Sequence, residues 1–262
     1  MSGGKWGDLA PRVLSAVVML AVGAAVIWAG GLWFKLLVIV AVAAMVWELA
    51  RMTEAPGSVP ALWLGGLGAL AMTGIAFIPG FGKLALVLLP AIIGTFRPRR
   101  DAGVFAAYAI VILLTGLGLV VLREGFGLLV ILWIVAVVVV SDVAGYFAGR
   151  ILGGPKFWPA VSPKKTWSGT VAGWVGAALV GWAFHAAGHG GAGLVWLSPL
   201  VAFAGQLGDI AESAIKRRAG VKDSSNLIPG HGGVMDRFDA LAFAVVAVLV
   251  LVNLVSVPVI GG

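Results

Sequence analysis

"LLVILWIVAVVVVSD", residues 128–142, runs fourteen residues without a charge and then ends in an aspartate. A run that apolar and that long reads as a membrane-crossing helix, because about 20 such residues span roughly 30 Å of hydrocarbon. Comparable runs lie almost end to end along the rest of the chain, at about 13–30, 32–50, 60–78, 84–96, 102–122, 127–149, 169–187, 194–215 and 238–260. Of 262 residues, 61% are hydrophobic and 11% charged, and the mean hydropathy is +1.07. No soluble domain with a polar surface tolerates that composition. The fold expected is all-α, a polytopic helical bundle of about nine spans, with residues 1–125 as N-terminal scaffold and dimer region and 126–262 as catalytic region. The apolar N-terminal stretch from Val13 to Phe34 is too long and too closely followed by further spans for a cleaved signal peptide, so it is read as retained.

Lysine and arginine concentrate on the cytoplasmic side of membrane proteins. Nine crossings from a cytoplasmic N-terminus put fifteen of the eighteen basic residues inside, leaving Lys35, Lys83 and Arg123 outside. Omitting the short fourth run, which contains Pro90, inverts everything before it and spoils the bias. The net charge of +7 is then mostly topology and attraction to anionic headgroups, the reading given to Arg97, Arg99 and Arg100. No nucleic-acid partner is expected. The chain has no cysteine, which excludes disulfides, thiolate metal sites and thiol nucleophiles.

Chemistry concentrates late in the chain. Six of the eleven acidic residues, Asp142, Asp209, Glu212, Asp223, Asp236 and Asp239, fall in the last 121 positions. Asp142 lies about fifteen residues into its helix, where an ionised group is costly and by default functional. "GQLGDIAESAIKRRAG" (205–220) puts Asp209, Glu212, Ser213 and Lys216 on one helical face. "KDSSNLIPGHGGVMDRFDA" (222–240) follows, with Gly230, Gly232 and Gly233 able to offer backbone N–H groups to an anion, and Asp236 and Asp239 one turn apart at a helix start. Asp236 read conservatively is an N-cap or dipole partner. Carboxylates from two helices, without thiolate and with little histidine, suit a hard cation such as Mg²⁺. Lys164, Lys165, Lys216, Arg217, Arg218, Lys222 and Arg237 add cations around them. Together they describe a site for phosphoryl or nucleotidyl transfer, in which positioning and charge neutralisation supply most of the catalysis.

"SAIKRRAGVKDSSNLIPGHGGVMDRFDAL" (213–241) resembles the signature of the phosphatidate cytidylyltransferases, or CDP-diacylglycerol synthases, in residue types and spacing. "SDVAGYFAGRILGG" (141–154) and "SPKKTWSG" (162–169) resemble two further blocks of that family, in its order. The chain departs from the pattern at Ser168, where an acidic residue is common, and at Val143, Ala144 and Gly145, where Thr-Gly-Ala is. The resemblance implies that CTP and phosphatidic acid give CDP-diacylglycerol and pyrophosphate, with Mg²⁺ and, as a second cation, a monovalent one. It also implies a homodimer in a membrane-lipid setting, the inner (plasma) membrane, with the site on the cytoplasmic face. By the same resemblance the metal carboxylates fall on Asp209, Asp236 and Asp239. Lys216, Arg217, Asp223, His231 and Arg237 are the catalytic candidates, and Asp142, Ser162, Lys164, Lys165, Thr166, Gly232 and Gly233 bind substrate. His185 and His189 are read as structural. The rival readings are a CTP-dependent polyprenol or dolichol kinase, which would need a general base for its alcohol substrate, and, in another class, a transporter using buried carboxylates as a relay.

Overall fold

Each apolar run becomes a helix in the computed structural model, which describes residues 9–80 and 82–254. The helices are α1 (Leu9–Ala29), α2 (Gly31–Met52), α3 (Ala61–Phe77), α4 (Lys83–Thr95), α5 (Ala102–Ile151), α6 (Trp167–Ala186), α7 (Leu194–Ala219) and α8 (Met235–Leu254). The expected fifth and sixth runs are two arms of α5, separated by a break at Gly127 (φ 82°, ψ −164°), a backbone conformation that only glycine adopts without strain. Among the described residues four helices, α2, α5, α7 and α8, are long and apolar enough to cross a bilayer. Lys5, the side chain of Arg12 and the end of the expected last run, 255–260, lie outside the described residues.

Large apolar side chains stand exposed along the helices, among them Trp28, Trp63, Trp182 and Trp196. In water this would drive aggregation; in lipid it costs nothing. Hydrocarbon offers no hydrophobic drive between helices, so close contact falls to small residues. Gly65 admits Trp47 and Gly68 admits Val46, which lets α3 lie on α2.

The described residues cluster into two compact units. One runs to Leu117 and takes in Arg218–Phe238; the other is Gly118–Arg217 with the described residues from Asp239 onward. Residues 218–238, grouped by the sequence reading with the C-terminal region, thus pack with the N-terminal helices.

In the first unit Arg99 corrects an expectation. It is only 8% exposed, and its guanidinium donates to the carbonyls of Ala50 (2.7 Å), Val59 (2.9 Å) and Gly94 (3.1 Å) and to Thr53 Oγ1 (3.0 Å), with the Phe105 ring 4.4 Å away, so its donors are spent on the protein. Arg100 donates to the Met52 carbonyl (3.1 Å). The last carbonyls of a helix have no partner within it, so these two arginines tie down the C-terminal end of α2.

In the second unit the stretch 156–166, between the sixth and seventh apolar runs, is a short antiparallel hairpin of β1 (Lys156–Trp158) and β2 (Ser162–Thr166). Thr166 ends it and caps α6, its Oγ1 accepting from the Gly169 N–H (3.2 Å). The hairpin therefore delivers Lys164 and Lys165 at a fixed distance from a helix start.

Candidate active site

The second unit gathers charge around α7. Asp209, half-buried, forms an ion pair with Lys165 from β2 and accepts from Ser213 Oγ (3.4 Å), one turn further along the helix. Glu212, fully buried, pairs with Lys216 Nζ (2.5 Å). Spacings of four place both contacts, as the sequence reading expected. Asp239 on α8 is repelled by Asp209 and Asp142 and attracted by Lys216, while its own Oδ1 accepts from the Ala240 N–H (2.7 Å). Asp142 feels both Lys165 and Asp209. The unit therefore holds three carboxylates within electrostatic reach of one another, with two lysines among them.

Two features bring those helices close. Gly208 on α7 lies against the Asp239 carbonyl and the Phe243 side chain, so that any Cβ at 208 would collide with α8. Gln206, 8% exposed, spends its amide on three neighbours: it donates to Ser141 Oγ (3.3 Å) and the Thr170 carbonyl (3.4 Å) and accepts from Trp174 Nε1 (3.0 Å). Its backbone carbonyl accepts from Lys165 Nζ (3.5 Å). Gln206 thus ties α7 to α5 next to Asp142 and to α6, and holds Lys165 beside Asp209. Sequence reasoning passed over it; a glutamine one turn before an aspartate in an apolar helix was the available signal.

The first unit holds the glycine-rich segment. Asp236, in the first turn of α8, accepts at Oδ2 from the Ser224 N–H (2.9 Å), Ser224 Oγ (2.8 Å) and the Gly233 N–H (2.7 Å). Asp236 is thus inside the first turn of α8 and not its N-cap, and it reaches back three residues to the Gly233 amide at the helix entry, where the helix dipole also favours its charge. Gly232 has φ 79°, and a Cβ there would meet Asp236 Oδ2 at 2.7 Å. Ile228 and Gly232 close the turn with a backbone bond of 2.8 Å.

Glu48, on α2, was not singled out from the sequence. It is fully buried and accepts from Ser225 Oγ (2.5 Å), the Val234 N–H (2.9 Å) and the Met235 N–H (2.6 Å). The signal was present: a glutamate inside "AAMVWELARM" (43–52) is as apolar in setting as Asp142. The N–H of Gly233 goes to Asp236 and those of Val234 and Met235 to Glu48, so of the three glycines expected to offer amides to an anion, Gly233 has its amide on a protein carboxylate.

His231 is anchored by α1. Ser15 Oγ donates to the Pro229 carbonyl (2.9 Å) and lies 2.8 Å from His231 Nδ1. Arg237 Nε donates to the His231 carbonyl (3.2 Å), and its side chain is otherwise exposed, like those of Arg217, Lys222, Asp223 and Lys164. Ser162 is half-buried at the start of β2, whereas Thr166 is buried in its capping role. His185 Nδ1 lies 2.9 Å from the Gly190 carbonyl and His189 edges the Phe184 ring. Among the described residues no three acidic or histidine side chains stand grouped as a ready-made metal cluster.

Residues 10–255 match the family described as the Cytidylyltransferase family. The chain is 39% identical over 246 residues to the phosphatidate cytidylyltransferase of Brucella suis, covering 90% of each. It is also 39% identical over 137 residues to the phosphatidate cytidylyltransferase of Helicobacter pylori and 38% identical over 136 residues to that of Bacillus subtilis, each match covering 51% of both chains.

Proposed function

The chain belongs to the cytidylyltransferase family, and from that premise we propose that it transfers the cytidylyl group of CTP to phosphatidic acid, giving CDP-diacylglycerol and pyrophosphate for phospholipid biosynthesis. The observation that carries the reading is the set Asp142, Asp209 and Asp239 interleaved with Lys165 and Lys216 in an otherwise apolar chain. Such a set suits a substrate pair in which both partners are anionic.

A phosphatidate oxygen attacks the α-phosphorus of CTP; the new P–O bond forms as the bond to the β-phosphate oxygen breaks, and pyrophosphate leaves. The nucleophile is already an anion, so no strong general base is needed. The obstacle is charge repulsion, and the basic residues address it. Lys216, Arg217 and Arg237 neutralise the pyrophosphate or the incoming lipid phosphate, Lys164 and Lys165 clamp one substrate, and His231 donates to a phosphate oxygen.

On the family resemblance alone, Asp209, Asp236 and Asp239 are the proposed Mg²⁺ ligands, of which Asp209 and Asp239 belong to the same compact unit. Their carboxylate oxygens are the donor set that a hard dication takes, and no thiolate competes. Bound Mg²⁺ would offset phosphate charge and polarise the α-phosphorus. Lys165 now neutralises Asp209 and would be freed for phosphate once a cation took its place.

The finer placement rests on charge. Nine crossings with the N-terminus inside and the C-terminus outside leave the site facing the cytoplasm of an inner membrane. A homodimer is proposed on the family resemblance.

The test is release of pyrophosphate by purified protein in detergent given CTP, phosphatidic acid and Mg²⁺, with Asp236→Asn alongside. Lipid-dependent pyrophosphate that is lost in the variant supports the reading. CDP and a lipid phosphate from an alcohol acceptor would point to a kinase, and an absence of nucleotide turnover from folded protein to a transporter.

A further inference from the structure

The proposed chemistry leaves Glu48 unused, although a buried carboxylate in an apolar helix is costly unless matched by donors. Its three donors all come from the glycine-rich segment, across 177 to 187 residues of chain. Two of them are amides at the start of α8, where unpaired N–H groups and the helix dipole both favour an anion. The fit is steric as well: a Cβ at Gly233 would overlap Glu48 Oε1 and Ser224 Oγ.

Asp236 grips the same segment from within α8. The two carboxylates divide it residue by residue. Ser224 goes to Asp236 and Ser225 to Glu48; the Gly233 amide goes to Asp236, and the amides of Val234 and Met235 go to Glu48. The Asp236 carboxylate is therefore oriented by a turn whose opposite side is fixed from α2. Arg99 and Arg100 in turn hold the C-terminal end of α2, one turn beyond Glu48.

We infer that Glu48 is a positioning residue for the cytidylyl-transfer site: without touching substrate, it sets the 224–235 turn and through it the Asp236 carboxylate. This rests on the reading that Asp236 serves the reaction. Glu48→Gln is the informative change, because an amide keeps one acceptor oxygen but sets an NH₂ group against an N–H donor.

The experiment compares wild type, Glu48→Gln, Ser225→Ala and Asp236→Asn, purified in detergent. It measures backbone hydrogen exchange over residues 224–238, KM for CTP, and the Mg²⁺ concentration giving half-maximal turnover. Glu48→Gln is expected to speed exchange at Val234 and Met235 and to raise both concentrations about 10-fold or more, the scale on which residues supporting a metal ligand act. Ser225→Ala, which keeps the charge and removes one donor, shifts the same quantities less. A purely structural Glu48 would lower the folded fraction and leave KM, Mg²⁺ dependence and exchange of the folded protein unchanged; that result overturns the inference. Where Glu48→Gln fails to fold, unchanged exchange and KM in Ser225→Ala overturn it equally. Full turnover by Asp236→Asn sinks the functional reading itself, whereas inactive Asp236→Asn beside normal Glu48→Gln sinks this inference alone.

Discussion

Glu48 and Glu212 are both fully buried carboxylates on apolar helices, and they are matched in opposite ways. Glu48 in the first unit is held by one hydroxyl and two backbone amides, Glu212 in the second by the ammonium of Lys216 one turn along its own helix. The contrast extends to their neighbours: Asp236 accepts from a hydroxyl and two amides, Asp209 faces Lys165. Neutral directional donors fix backbone shape. Lysine heads balance charge without fixing backbone shape. The first unit thus orients its carboxylates, Asp236 included, with a hydrogen-bonded turn, and the second balances its own with lysines, of which Lys165 is partly exposed.

If this division is right, two aspartates with similar effects on turnover should differ in stability. Asp209→Asn and Asp236→Asn are each expected to lower turnover by more than about 100-fold, the scale on which preorganised charge in such sites is felt. Only Asp236→Asn should also lower the thermal unfolding temperature clearly, since it disturbs three bonds to one oxygen. Equal unfolding temperatures would erase the distinction.

The Glu212 pair offers a sharper break. Lys216→Met strands a buried charge and should cost about 3–5 kcal/mol, and adding Glu212→Gln should recover most of it. The recovery, read from unfolding in detergent, marks an interaction of charge with charge. Ser225→Ala, on the other side of the comparison, should cost about 1.5–3 kcal/mol, as loss of one hydrogen bond to a charged group does.

The smallest stability effect belongs to Lys165→Met. Its pair with Asp209 is partly exposed and should be worth about 1 kcal/mol or less, while KM for CTP rises about 10-fold. A large loss of stability with unchanged KM would move Lys165 from the substrate clamp to the scaffold.

The helices were legible because hydrocarbon demands long apolar runs, and the break at Gly127 fell at the start of the sixth run. The α7 face was legible too, since Asp209, Glu212, Ser213 and Lys216 follow helical spacing. The hairpin was not: Lys156–Trp158 and Ser162–Thr166 are too short for a period of two to stand out, and Pro163 argues against a strand. Glu48 was missed because attention followed the cluster of charge in the later half of the chain. Nothing local could have linked it to amides 186 and 187 residues away. Gly230 and Gly232 do take the positive φ that the glycines were read as permitting; that the Gly233 amide would meet Asp236 is a tertiary fact.

The most direct test of the central claim follows the label of CTP. Purified protein is given phosphatidic acid and Mg²⁺ with CTP labelled at either the α- or the γ-phosphate, and the lipid is extracted. Cytidylyl transfer predicts that α-label enters the lipid and γ-label leaves as pyrophosphate, with both outcomes abolished by Asp209→Asn. Label from the γ-phosphate in the lipid, or lipid labelling undiminished in Asp209→Asn, would contradict it.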